Sequence, residues 1–228
     1  MTRLGATFAA DVRVQYRNGF YAATAVVVFS SIVLLRWLPP DLAALLLPVV
    51  LLTNVLVNTF YFVSGALLLE RVEGTFLAQS VTPLRDGEYL GSKVGTLTVL
   101  SLGESLAIAT AVLGADVRLL AIAAGVGLAA VPFCLAGVAV VLRYASISEF
   151  LIPSVLYALL LTAPLLGVFG FGSPAWYALH PIQGPLALME GSWPATAGGL
   201  AYAVGYPLIW TAPAYVWSRR ALERTRAA

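Results

Sequence analysis

Long apolar stretches alternate with short polar breaks along this chain. An α-helix rises about 1.5 Å per residue, so about 20 apolar residues cross the ~30 Å hydrocarbon core of a bilayer. Six stretches reach that length, at residues 20–38, 42–69, 94–113, 119–142, 151–171 and 195–216. The second is long enough to tilt or to protrude from the membrane. Pro39-Pro40 and Gly114-Ala115-Asp116 are tight breaks, which predicts helical hairpins across them. The pattern predicts an all-α integral membrane protein with six transmembrane helices, forming one domain over residues 1–228.

The segments between the spans carry their own patterns. Leu4, Phe8, Val12 and Tyr16 recur at i, i+4 within residues 1–19, with Arg3, Asp11, Arg13 and Arg17 off that stripe. This predicts a helix lying in the inner interface, its arginines reaching phosphate headgroups, in preference to a frayed polar leader. The loop 70–93 is long for a connector. Val72 with Phe76, and Leu77 with Val81, pair at i, i+4, which predicts a short helix over 70–81 stopped by Pro83. Arg85-Asp86-Gly87 reads as a turn. Exposed Phe76 and Leu77 on such an element predict a docking surface; the competing reading is a loop packed on its own helix ends. Residues 172–194 hold Pro174, Pro181, Pro185 and Pro194, with Trp176, Tyr177 and Trp193 suited to the headgroup level. A re-entrant hairpin of two short half-helices in the outer leaflet fits that stretch. Such backbone is tolerated only against protein or a water-filled cavity.

Composition sharpens this picture. Hydrophobic residues make up 60% of the 228 positions and charged residues 11%, too apolar for a soluble fold of this length. Eleven of the thirteen basic residues lie on one side if the N-terminus is inside; Arg36 and Arg118 are the exceptions. Both termini are therefore expected in the cytoplasm. The first apolar run is long enough to span and starts too late for a cleaved signal peptide. A net charge of +2 is too small to suggest nucleic-acid binding. One cysteine, Cys134, allows no disulfide framework and no cysteine-based metal site.

Chemistry-bearing motifs are sparse. The phosphate-cradling G-x-x-x-x-G-K-[ST] pattern is missing, since the single lysine, Lys93, follows Ser92 and precedes Val94. The single histidine, His180, cannot form an H-E-x-x-H zinc site. No catalytic constellation is visible, so an enzyme is not expected. Polar groups within the spans are more informative. Glu104 lies near the middle of the third, where an ionised carboxylate costs several kcal/mol in hydrocarbon and must face protein or water. It reads either as a contact for cationic or zwitterionic cargo or as a glutamate hydrogen-bonded to a neighbouring helix. Asn54 and Asn58 share a face at i, i+4, suited to gluing helices or lining a pathway. His180-Pro181 reads as a structural turn or a titratable outer gate. Pro153, Pro164, Gly167, Gly170 and Gly172 let the fifth span bend.

The run Glu70-Arg71-Val72-Glu73-Gly74-Thr75, then Thr82-Pro83-Leu84-Arg85, Glu88-Tyr89-Leu90 and Ser92-Lys93, resembles the loop between the second and third helices of bacterial type-two ATP-binding-cassette exporter permeases. Asp11, Arg13 and Arg17-Asn18-Gly19-Phe20 resemble the opening segment of that class. Within it the chain is most similar to the small permeases known as fluoroquinolone exporters. The resemblance implies half a transporter in the bacterial inner membrane, paired with a second permease chain, identical or homologous. A separate ATPase subunit would carry ATP and Mg, and this chain would bind no cofactor of its own. Residues 1–19 would be the elbow helix and 172–194 the outer re-entrant cap. Glu70, Arg71, Glu73, Gly74, Thr75, Phe76, Leu77 and Pro83 would belong to the ATPase-coupling loop, while Asn54, Asn58 and Glu104 are the pathway candidates. The implied cargo includes drugs such as fluoroquinolones. The alternative is a proton-coupled secondary transporter with Glu104 as carrier, although neither an internal repeat nor a second intramembrane acid is evident.

Overall fold

The computed structural model describes residues 3–76, 84–114, 118–191 and 193–227. Every regular element among them is helical. Helix α1 (Arg3–Arg17) precedes four helices long and apolar enough to cross a membrane: α2 (Phe20–Trp37), α3 (Pro40–Val72), α4 (Asp86–Leu113) and α5 (Arg118–Val141). Then come α6 (Ile147–Leu161), α7 (Leu165–Val168), α8 (Pro174–Ala178), α9 (Gln183–Met189), α10 (Ala197–Leu200) and α11 (Tyr206–Ala227).

The first four predicted spans thus exist as long helices, and the last two take a different form. Pro164 lacks an N–H and terminates the fifth span early, so α6 has 15 residues and is followed by a turn and the four-residue α7. Fifteen residues reach only about 22 Å. In the sixth, α10 runs through a wide π turn at Ala201–Gly205 into α11, whose last turns carry arginines. The stretch 172–194 does hold two short helices, α8 and α9. The second is buried through Gly184, Pro185, Leu186, Leu188 and Met189 and packs on α5.

Helix α5 is the axis of the bundle. It lies against α3, α4, α9 and α11, and its run from Pro132 to Val141 is buried throughout. Small residues make this possible. A Cβ on Gly137 would sit 2.7 Å from the Phe60 carbonyl oxygen and 2.6 Å from Val63 Cγ1, so only glycine permits α3 to approach. The facing part of α3 is a π turn at Val57–Tyr61. Helices α2 and α6 are mostly exposed by comparison, with Val26, Phe29, Ile152 and Leu156 all more than 65% accessible. Such side chains need no protein partner where lipid is the solvent.

The start of α4 corrects the reading of Arg85-Asp86-Gly87 as a turn. Arg85 is the N-cap, and the Glu88 carboxylate accepts from its backbone N–H at 2.9 Å, as in half of a capping box. The helix therefore begins eight residues before position 94, and Lys93 is inside it. At the other end, Arg36 of α2 donates to the Ala111 carbonyl of α4 at 3.3 Å, which fixes the ends of α2 and α4 side by side.

Candidate functional site

Helix α1 is amphipathic, but it does not face the bundle with its apolar stripe alone. Leu4 and Phe8 lie over Gly91 and Gly95 of α4. On the same face, one and two turns further on, Asp11 and Gln15 are buried. Each has partners on α4. The Ser92 hydroxyl and the Lys93 ammonium both donate to the Asp11 carboxylate, the latter at 2.6 Å, and the Gln15 amide donates to Thr96 Oγ1 at 2.8 Å. Lys93 also donates to Glu70, at the end of α3, whose other oxygen accepts from the Tyr89 hydroxyl at 2.7 Å. One ammonium, 3% exposed at its side chain, therefore joins three helices through two buried carboxylates.

Two more arginines frame this hub. The Arg226 guanidinium pairs with Asp86 and lies 5.7 Å over the Tyr89 ring and 6.0 Å over Phe76. Arg71 lies 5.7 Å over the same Phe76 ring and donates to the carbonyls of Tyr144 and Leu142 at 2.6 and 3.2 Å. Those carbonyls follow the end of α5, where backbone acceptors lack helical partners.

The coupling-loop candidates divide accordingly. Glu70 and Phe76 are buried, at 6% and 2% exposure, so the expectation of an exposed Phe76 is corrected. The cause is Gly74, whose φ of +70° ends α3. Val72 and Phe76 then no longer share a continuous helix face: Phe76 turns inward, while Val72 stays 86% exposed. Glu73, Gly74 and Thr75 are exposed beside it. Thr75 donates to the Glu70 carbonyl at 3.1 Å, and Glu73 accepts from Arg17 at 3.4 Å across the surface. The result is a knuckle, Val72 to Thr75, gripped by a buried residue at each end. Leu77 and Pro83 lie outside the described residues.

Asn54, Asn58 and Glu104 are all buried. The Asn54 amide donates to Ser31 of α2 at 3.2 Å. Asn58, inside the π turn of α3, donates to Glu104 of α4, and its carbonyl oxygen accepts from Thr24 of α2 at 3.3 Å. A polar relay thus crosses three helices. It is incomplete, because Glu104 Oε1 has no hydrogen-bond partner among the described residues, nor do the hydroxyls of Ser101 and Ser105 beside it. Glu104 and Thr24 line a groove of about 380 Å³ between α1, α2 and α4, walled by Phe8, Tyr21, Val28 and Leu100. The groove runs from the N-terminal helix toward the middle of α4.

At the other end of the bundle, the backbone N–H of Ile182 donates to His180 Nδ1 at 3.2 Å. That nitrogen is therefore the unprotonated one, and Nε2–H donates to the Leu160 carbonyl at 3.0 Å. His180 ties the loop after α8 to the end of α6, in the turn with Pro181. Burial pushes its imidazole below its ordinary value, opposed by the bond to Leu160. Nearby, Pro164, Gly167, Tyr177, Gln183 and Glu190 line a cavity of about 400 Å³, and burial raises the Glu190 carboxyl. No cluster of three or more metal-ligating side chains occurs among the described residues.

The sequence reading passed over Lys93, Tyr89, Arg226 and Thr24 as site residues. Lys93 did carry a signal, as the single lysine at the edge of an apolar run. Thr24 carried none.

The chain matches the fluoroquinolones export permease protein family over residues 2–226. It is similar to the fluoroquinolones export permease proteins of two Mycobacterium tuberculosis strains, CDC 1551 / Oshkosh and ATCC 25618 / H37Rv. Identity to each is 32% over 217 residues, covering 92% of this chain and 90% of the relative.

Lys93→Met leaves two buried carboxylates without their cation and should cost about 3–5 kcal/mol. Thermal unfolding in detergent should show that loss. It should also show recovery in Lys93→Met/Asp11→Asn/Glu70→Gln, since a neutral hub has no charge to compensate; a single variant as stable as wild type would refute the hub. For His180, the detached loop titrates near 6.5 and the docked loop lower. Docking is thus fully favoured above that value and weakens as pH falls through the lowered one. Hydrogen exchange at Ile182, corrected for intrinsic rate, should accelerate between pH 7.5 and roughly pH 5, and this response should vanish in His180→Gln. Protection that does not change over this range would refute it.

Proposed function

This chain belongs to the fluoroquinolones export permease protein family, and from that premise we propose that it is the transmembrane subunit of an ATP-driven exporter in the bacterial inner membrane. It forms the cargo pathway with a second permease chain, and a separate ATP-binding-cassette ATPase subunit supplies the work. ATP and Mg bind on that subunit. Both termini face the cytoplasm, a reading supported by the excess of basic residues on that side. All six apolar stretches cross the bilayer, the last two with help from the segments around them, and α8 and α9 form the outer re-entrant cap. The observation that carries this reading is the family match across residues 2–226, whose relatives are named as export permeases.

The ATPase docks on the knuckle at Val72–Thr75. Val72 is the exposed large apolar side chain there, and Glu73, Gly74 and Thr75 present polar groups beside it. Arg71, Glu70 and Phe76 act from behind. They hold the knuckle to α5, α4 and the C-terminal helix, so that force on it reaches the spans. Drugs such as fluoroquinolones are the cargo class, taken from the relatives' names. A cargo amine reaches the groove between α1, α2 and α4 and meets the free oxygen of Glu104, with Asn58 and Asn54 holding the helices on either side.

Two experiments test these assignments. Burying a large aliphatic side chain contributes about 1.5–3 kcal/mol, so Val72→Asp should lower ATPase co-purification by roughly tenfold or more while membrane insertion is unchanged. Co-purification at the wild-type level would exclude the knuckle as the docking surface. Glu104→Gln keeps an acceptor for Asn58 and removes the negative charge. Efflux of cationic compounds should fall several-fold relative to neutral ones at equal expression. Equal loss for both classes, or none, would remove the amine contact. Transport that survives ATP depletion and collapses with the proton gradient would instead make Glu104 a proton carrier.

A further inference from the structure

The C-terminal half of α11 and the end of α5 enclose a cavity of about 490 Å³ whose wall has two kinds of surface. One side is apolar: Leu142, Pro213, Val216 and the face of Trp217. The other carries Arg143, Arg220 and Arg224, and no acidic residue lines the cavity. These three arginines differ from the others nearby. Arg219 is paired with Glu223 at 2.9 Å, Arg226 with Asp86, and Arg71 with two carbonyls. Arg143, by contrast, has only the Trp217 ring, 5.2 Å from its guanidinium, and Arg220 and Arg224 have no ion pair or hydrogen-bond partner among the described residues. Arg220 and Arg224 are spaced i, i+4 on one face of α11, and Arg143 comes to the same place from the end of α5.

We propose that this cavity is a binding site for one anionic phospholipid, whose phosphate sits among Arg143, Arg220 and Arg224 and whose acyl chain runs along Pro213, Val216 and Trp217. Three guanidiniums with open donors, converging without a counter-carboxylate, match a phosphodiester in charge and in hydrogen-bonding capacity. The apolar wall leads from them along α11 toward the bilayer interior, and a tryptophan marks the level where ring and headgroup meet. A free phosphate would use the arginines and leave that wall empty. A basic pocket between helices at the cytoplasmic boundary is the setting in which acidic headgroups are held. The assignment does not depend on the cargo or on the ATPase.

Native mass spectrometry of the purified full chain in detergent, titrated with palmitoyl-oleoyl phosphatidylglycerol or phosphatidylcholine, tests it. Wild type should retain one phosphatidylglycerol under conditions that strip phosphatidylcholine. Arg143→Gln/Arg220→Gln/Arg224→Gln should weaken that retention by about tenfold or more. Arg85→Gln/Arg118→Gln/Arg219→Gln removes the same charge at positions that do not line the cavity and should leave it intact. Arg220→Gln alone carries the test with a smaller shift if the triple variant does not accumulate. Equal retention of both lipids, or equal loss in the control triple, would overturn the site. Displacement of the lipid by equimolar glycerol 3-phosphate or inorganic phosphate would reassign it to a free phosphate and overturn the lipid.

Discussion

A single ammonium group organises one end of this helical bundle. Lys93 sits between Asp11 of α1 and Glu70 of α3, almost out of contact with solvent. Removing three charges from water is costly, and the attraction among them repays that cost only when geometry is good and the remaining lone pairs are satisfied. Ser92 and Tyr89 supply those remaining bonds to the two carboxylates. The Arg226 guanidinium, itself paired with Asp86, covers the Tyr89 ring at 5.7 Å. Because any one member alone would be a buried unpaired ion, α1, α3 and α4 have little freedom to meet in another register.

That constraint determines what the polar loop can present. Glu70 is held by Lys93, and the Phe76 ring lies within 6.0 Å of the Arg71 and Arg226 guanidiniums, so among the described residues from Glu70 to Phe76 it is Val72 to Thr75 that are exposed. A loop whose two ends are buried in different parts of the bundle cannot move independently of it. Arg71 extends the connection to the end of α5, the most enclosed of the four long apolar helices. Val72 therefore projects from a segment tied on both sides to packed helices.

How far the sequence spoke depended on the range over which each residue acts. The four long spans were legible because an unbroken apolar run has one physical solution in a bilayer, a helix that satisfies its own backbone. The early end of α6 was not: Pro164 was read as a place where the fifth span bends, whereas the helix stops at Leu161 and a turn leads to Pro164. Nor was the position of Phe76. Pairing it with Val72 assumed a helix through Gly74, and the left-handed conformation there reverses which side chain faces outward. The burial of Asp11 was hidden for a related reason. Its helix is amphipathic on either of two overlapping stripes, and the choice between them is made by glycines and a lysine about eighty residues away. Thr24 became part of the site through a contact that no local pattern encodes.

The π turn of α3 shows how the two halves of the molecule are built to fit. One added residue in a turn rotates everything beyond it by about 100° relative to an uninterrupted α-helix. In α3 that rotation falls between Asn54 and Glu70. The preceding part of the helix offers its amide to α2, the following part delivers Glu70 to Lys93, and Asn58 in the turn itself bridges α2 and α4. The same turn brings the Phe60 carbonyl against Gly137, where no side chain could be accommodated. A regular helix would satisfy the ionic hub or the relay at Glu104, but its two ends would be out of phase for both. The irregular turn is what lets one helix serve an ionic anchor at the boundary and an open carboxylate in the bundle at the same time.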